Sequence, residues 1–533
     1  MRAFNNNFNM FKAINISKSL QLFIAIIIAI LTTGFLRLQL FSGVPEPDGG
    51  YYTFHSQYIH YALTHGQDLK DMGLFLYQFM TAWVYGFDLN QYISLRLIDG
   101  LIAITASIIL FKVILKESGS PLFTFILVTT LLILMNDIEN IAYGFRNSTW
   151  AAYLPLFSAL LIWQNISKED KYSFYLIGGL VSLGILLREP FLPFFLLAAI
   201  AIFIGYGRRV LIKYLIGSAV VGFSVLGVML MFRGWDLLGL INSYLIRNAG
   251  VVVYNNLIPG YFFHFGLSSI KANWFIYAAG SVSVIYLFKL YSTNKNLVNT
   301  NRVYFWLAIF LLPMLEPIMK IGFEYHFANT LPGLAGLSAM GWKHLMTQES
   351  KKVTTSSILI IGLLSLIVIL PTINRTLIKS SNIYGPIDAI KWAKASDSFR
   401  GDQMIERSQY LKVAAKVYGL SREDSTLAVR GKMAAIFPLT GLLPPTFELH
   451  DLKTLYTRLN FDDEELIKII QKYRPTLVIT THLSSSPLDK DEIYFPEIIE
   501  NTNLYEKVGI IEENLAINYG FKAGTIYRLK DFK

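Results

Sequence analysis

The stretch Pro45-Glu46-Pro47-Asp48-Gly49-Gly50-Tyr51-Tyr52 follows directly on an apolar run contained in Ile14 to Phe41, and the junction of the two decides how the chain is read. The run is long enough to cross a bilayer, since about 20 helical residues at 1.5 Å rise cover the roughly 30 Å hydrocarbon core. Asp48 therefore stands at the water boundary, held by two prolines and followed by two glycines. Arg2, Lys12 and Lys18 precede the run, which is long and lacks a small-residue cleavage site. It reads as a retained signal anchor.

The rest of the chain extends that reading. Of 533 residues, 53% are hydrophobic and only 16% charged, far from the balance of a soluble domain. The formal charge of +10 is not a nucleic-acid footprint, because its distribution is wrong. Residues 1 to 372 hold 25 Lys and Arg against 16 Asp and Glu, whereas residues 373 to 533 hold 22 against 21. There are no cysteines, which excludes disulfides, thiolate metal sites and cysteine nucleophiles.

About eleven spans are expected, at roughly 20–41, 92–111, 121–136, 148–164, 172–187, 190–206, 210–232, 271–290, 303–319, 327–345 and 355–372. With the N-terminus in the cytoplasm, alternate loops and span ends carry Lys112, Lys116, Lys168, Lys171, Arg208, Arg209, Lys213, Lys289, Lys295, Arg302, Lys343, Lys351 and Lys352. That basic bias is what the positive-inside rule requires. An odd number of spans leaves the C-terminal region outside. The outer face then receives 42–91, 136–147, Arg188-Glu189-Pro190, 233–270, 320–326 and everything beyond 373. Long polar and aromatic loops on one face put binding and chemistry there. Within 42–91, Gln57 to Leu63 reads as a helix lying along the membrane surface.

Residues 373–533 differ in kind. Helical patterns at Pro386 to Trp392, Gln409 to Tyr418 and Asp462 to Tyr473 alternate with strand-like runs at Thr426 to Arg430, Thr476 to Thr480 and Gly524 to Leu529. Asp462 or Asp463 is the expected helix cap. The expected fold class is thus an α-helical polytopic membrane protein, residues 1–372, with a small extracytoplasmic α/β domain, residues 373–533. No GxGxxG, P-loop or HExxH occurs, so the nucleotide, dinucleotide and zinc-protease motifs are absent.

In order and sidedness, these features resemble the polytopic GT-C glycosyltransferases, in particular the bacterial branch of protein mannosyltransferases and the aminoarabinose transferase of lipid A. The resemblance covers most of the chain. It rests on Asp48-Gly49-Gly50-Tyr51-Tyr52, then Gly66, Gly86 and Ser94-Leu95-Arg96-Leu97, and on Asn136-Asp137-Ile138-Glu139-Asn140 in the second outer loop. It continues through Phe323 to Pro332, Tyr473-Arg474-Pro475 before a strand, and a closing Ile526-Tyr527-Arg528. The chain departs from the family in having a single acid at Asp48. The tryptophan-rich signature of oligosaccharyltransferase catalytic subunits is also missing, which argues against that branch and its bound cation.

The resemblance implies an inverting transferase of the cell (inner) membrane. The donor would be a polyprenyl-phosphate sugar, and the acceptor an extracytoplasmic glycan, lipid or protein. Asp48 would be the general base. Asp137 and Glu139 would position the acceptor, and Arg146, Arg188, Lys320 and His326 would hold the donor phosphate. No cofactor is required, and a divalent cation at the second acidic loop stays open. Each residue has a plainer reading. Asp48 fits a turn, Asp137 and Glu139 a solvated loop, and Arg188-Glu189 a local ion pair at the ends of two spans. The histidines at 55, 60 and 65 are expected at the surface. A lipid-linked polysaccharide polymerase or ligase, or a membrane transporter, is the alternative class.

Overall fold

The computed structural model describes residues 17–36, 47–67, 69, 76–87, 91–137, 147–166, 172–188, 191–241, 259–293, 300–314, 324–348, 351–384, 412–430, 434–450, 462–483, 495–512 and 521–532. Helices dominate up to residue 384, and a small sheet closes the chain. Among the described residues, Leu97–Ser118, Arg208–Phe232, Trp274–Thr293 and Ser356–Thr376 are long and apolar enough to cross a membrane. Ser19–Gly34, Pro121–Met135, Ser173–Leu187, Phe194–Tyr206 and Arg302–Leu311 are shorter apolar helices. Leu359, Ile360, Leu363, Leu366, Ile367 and Leu370 of the last long helix are exposed. An apolar surface of this kind is stable only against lipid, so the chain is an integral membrane protein.

Two packing devices hold the helices together. The first is close approach through small residues, the usual solution where lipid is as apolar as leucine. Ser173–Leu187 and Arg208–Phe232 cross at Gly178 and Gly217, where an added Cβ would run into the carbonyls of Tyr214 and Tyr175. Ser218 Oγ donates to Gly178 O at 2.9 Å in the same crossing. The second device is interhelical polar bonding. Ala29–Phe35 is a π-helical stretch that turns Thr33 toward Ser107, 3.0 Å away. Asn136 Nδ2 donates to Thr33 at 3.2 Å, joining three helices through one hydroxyl.

At one end of the bundle, residues of three expected cytoplasmic loop edges meet. Glu117 is buried and accepts from Gln164 Nε2 at 2.6 Å. Arg302 lies 3.4 Å from its Oε2, and the Trp306 indole donates to its Oε1, the oxygen shared with Gln164, at 3.4 Å. A carboxylate this deep persists only with such partners.

The C-terminal sheet has four strands: β1 (Leu427–Val429), β2 (Leu477–Leu483), β3 (Tyr505–Ile511) and β4 (Phe521–Leu529). Their order is β1-β2-β4-β3. β1 pairs with β2 in parallel, Ala428 opposite Val478, and the other pairs are antiparallel. The helix Asp463–Tyr473 begins on the capping box expected of Asp462, whose side chain accepts from Glu465 N while Glu465 reaches back. It ends at Arg474 in the left-handed region. β3 was absent from the sequence expectation. Its run Tyr505-Glu506-Lys507-Val508 carries two charges, and both of those side chains are exposed. The expected helix at Pro386 to Trp392 lies outside the described residues.

Candidate functional site

Asp48 falls in the first turn of the helix Pro47–His65. This helix starts earlier than the expected Gln57, and the two glycines lie inside it rather than in a turn. Pro47 suits the first helical position, where its missing N–H costs nothing. Two helical glycines cost about 1 kcal/mol each, which the burial of the middle of the helix offsets. Phe54, His55, Tyr58, Ile59 and Ala62 are all buried. Gly66, with φ +65°, then stops the helix in a conformation that disfavours any residue with a Cβ.

The helix is gripped from two sides. On one, Tyr85 of the 3-10 turn Ala82–Gly86 donates its hydroxyl to Thr53 O at 3.0 Å, and Ser56 bonds Thr81 at 3.2 Å. Burial raises the Tyr85 pKa well above the ordinary phenol range, so the donor proton stays in place. Gly86 packs against the His60 ring, 3.3 Å from where its Cβ would be.

On the other side stands the C-terminal region. Phe54 lies 4.5 Å, ring to ring, from Phe437, 6.0 Å from Phe447 and 5.1 Å from His450. Tyr58 lies 5.4 Å from Phe447. His55, expected at the surface, is instead buried, 5.0 Å from Phe447 and 5.8 Å from His450. The spacing of His55, His60 and His65 matches no single helix face or ligand pattern, and the element that covers His55 comes from about 390 residues further along the chain. His65 is exposed. One core cluster joins Phe54, Tyr58, Ile59 and Ala62 to Val413, Leu427, Phe437, Leu477 and Ile526. The helix that carries Asp48 and the sheet therefore contribute to one core.

Asp137 directly follows the cap of the helix Pro121–Met135 and is buried. Arg375 Nη2 lies 2.6 Å from Asp137 Oδ2, and Thr376 Oγ1 donates to Asp137 Oδ1 at 2.8 Å. Both partners belong to the helix Lys351–Tyr384, which runs past the expected end of its span. Of the candidates for the donor phosphate, Arg188 and His326 are buried. Arg188 caps the helix Ser173–Leu187 in extended conformation, and His326 lies in the short helix Glu324–Ala328. Tyr153 ties their two turns together. Its hydroxyl donates to Asn329 O at 2.6 Å, and its ring lies 5.4 Å from that of Phe191. Glu139, Arg146 and Lys320 lie outside the described residues. Among the described residues, no three carboxylate or imidazole side chains come together as a metal site.

Asp99 is a buried carboxylate absent from the sequence expectation. It lies in the apolar span Leu97–Ser118, in line with Ala103 and Ser107 at helical spacing. Its signal was a lone acid inside an apolar run, which marks a functional position by default.

The fold and these sites define a polytopic membrane protein with an α/β region packed on its first-loop helix. No protein-family model matches the chain, and no curated protein matches it in sequence. Solved structures do match. ArnT from Cupriavidus metallidurans, in a crystal structure with undecaprenyl phosphate, superposes with a TM-score of 0.55 at 10% identity. The match covers 95% of this chain and 98% of that one. The Archaeoglobus fulgidus oligosaccharyltransferase, in complex with Zn and sulfate, gives a TM-score of 0.45 at 14% identity over 86% of this chain and 68% of its own. The likeness to ArnT is one of fold and extends over nearly the whole chain.

Proposed function

We propose that this chain is a membrane glycosyltransferase that moves a sugar from a polyprenyl-phosphate donor to an extracytoplasmic acceptor. The observation that carries the reading is the place of Asp48. It sits in the first turn of a helix that shares a buried core with the C-terminal region, in a fold that matches ArnT over nearly the whole chain. Asp48 takes the proton of the acceptor hydroxyl as its oxygen attacks the anomeric carbon. The bond from that carbon to the phosphate oxygen breaks, polyprenyl phosphate leaves, and the anomeric centre inverts.

Arg188 and His326, joined by Arg146 and Lys320, meet the charge that develops on the leaving phosphate. A buried guanidinium and a buried imidazole at turns tied through Tyr153 support that role. The N-terminus and the Arg208-Arg209 loop lie in the cytoplasm, while Asp48 and an α/β domain of residues 373–533 lie outside. The acceptor is a glycan, a lipid or a protein. Mass spectrometry of lipids from a strain lacking the gene tests the reading. A polyprenyl-phosphate sugar should accumulate and disappear on complementation; an unchanged lipid profile would count against the donor class.

A further inference from the structure

The cluster that buries the Asp48 helix belongs largely to a part of the chain about 400 residues away. Phe54 is six residues from Asp48 on the same helix, about 9 Å along the axis at 1.5 Å per residue. It is fully buried, wedged between Phe437 on the short helix Ile436–Thr440 and Phe447 and His450 on the 3-10 turn Phe447–His450. The His450 ring is itself held to the Phe447 carbonyl. Farther along the helix, Tyr58 packs on Phe447 and Ala62 completes the buried stripe. The same cluster reaches the sheet through Leu427, Leu477 and Ile526. Position and tilt of the helix are therefore set by side chains of the C-terminal region as much as by the first loop.

We infer that the aromatic wedge of Phe54 with Phe437, Phe447 and His450 makes the C-terminal region a positioning element of the Asp48 site, so that Phe447 acts on transfer through the helix without touching substrate. Stacked aromatic rings have few alternative packings, and emptying one lets the helix tilt or slide. A displacement of about 1 Å at a reacting group costs on the order of 100-fold in rate. Donor binding, which the proposed reading assigns to other turns, does not depend on the wedge. The inference rests on the reading of Asp48 as base.

The test uses the full-length protein in lipid nanodiscs, with a synthetic polyprenyl-phosphate sugar and separate measurement of kcat and donor KM. Phe447→Ala should lower kcat by about 100-fold, with KM for the donor within about threefold of the parent. Phe447→Leu, which refills most of the volume, should recover most of kcat. A cysteine introduced at Gly50 gives a readout independent of activity: its rate of reaction with a membrane-impermeant maleimide should change in Phe447→Ala and return in Phe447→Leu. Unchanged kcat or an unchanged labelling rate in Phe447→Ala overturns the inference. If that variant does not insert and fold, Phe437→Leu and His450→Gln carry the same two readouts with the same criteria. An active Asp48→Asn enzyme would remove the base assignment alone, because the labelling arm still reports whether the wedge holds the helix.

Discussion

Arg375 and Asp137 form a salt bridge of 2.6 Å between residues 238 positions apart, with the carboxylate 1% exposed and the guanidinium 32% exposed. The second acidic loop is thereby fastened to the membrane helix that leads to the C-terminal sheet. Thr376 fills a further acceptor site on the same carboxylate. The link connects two parts of the chain that any movement of the C-terminal region would have to pull against.

Arg375→Ala should cost about 3 kcal/mol, the lower end for breaking a buried pair, because the arginine is itself partly solvated. Thermal unfolding in detergent would show it as a clear fall in Tm. Asp137→Asn should cost less, since asparagine still accepts from Thr376. If Asp137 positions the acceptor as well, Asp137→Asn will lower kcat with little change in Tm; full activity in that variant assigns Asp137 to the clamp alone.

Asp48→Asn keeps the size and most of the hydrogen bonding of the side chain but removes its proton acceptor. It should insert, bind donor and lose transfer by roughly 100-fold to 10,000-fold, the range of a missing general base. Asparagine serves a helix N-terminus or a turn as well as aspartate does. A fully active variant would leave Asp48 with a structural role only.

Arg188→Gln and His326→Gln should each raise the donor KM by about tenfold or more, since one charge-assisted contact contributes roughly 1.5–3 kcal/mol. The same changes at Arg146 and Lys320 should act in the same direction, and acceptor KM should move less. Wild-type kinetics in all four variants would put the phosphate pocket elsewhere.

Sidedness can be read directly, because the chain has no cysteine of its own. Single cysteines introduced near residue 208 and near residue 421 should label from opposite faces, the second from outside. Labelling of the second only from the cytoplasmic side would invert the topology and place the acidic loops where lipid-linked donors are not used.

Tyr85 gives an alkaline signature. Its folded pKa lies above the unfolded value near 10, so its contribution is complete below that pH and is lost as pH rises beyond it. Tyr85→Phe leaves the Thr53 carbonyl without that donor and should cost about 1–3 kcal/mol at neutral pH. Its stability should then fall less steeply than the parent's above pH 10, as followed by thermal unfolding across an alkaline series.

Much of the bundle was legible because its signals are local. An apolar run of bilayer length has to become a helix, since lipid offers no partner to an open backbone, and the helices Ser173–Leu187, Asn147–Asn165 and Pro121–Met135 lie almost where the runs do. The cap at Asp462 was legible for the same reason, its donor and acceptor lying three residues apart. β3 escaped because its charged residues break the apolar alternation.

The site was legible in residue types and not in arrangement. His55 looked like a surface histidine because nothing near it in sequence announces Phe447 and His450. Asp137 looked like a loop acid because Arg375 comes 238 residues later. The sequence by itself determined that the chain is built on apolar helices and belongs in a membrane, because hydropathy and backbone hydrogen bonding are settled within one segment. Only the tertiary structure decided that the Asp48 helix is clamped by Phe437, Phe447 and His450 of the C-terminal region and that Asp137 is bound to the helix Lys351–Tyr384. Such contacts form between surfaces that are each unremarkable alone, and they exist only once the packing of the whole bundle has brought them together.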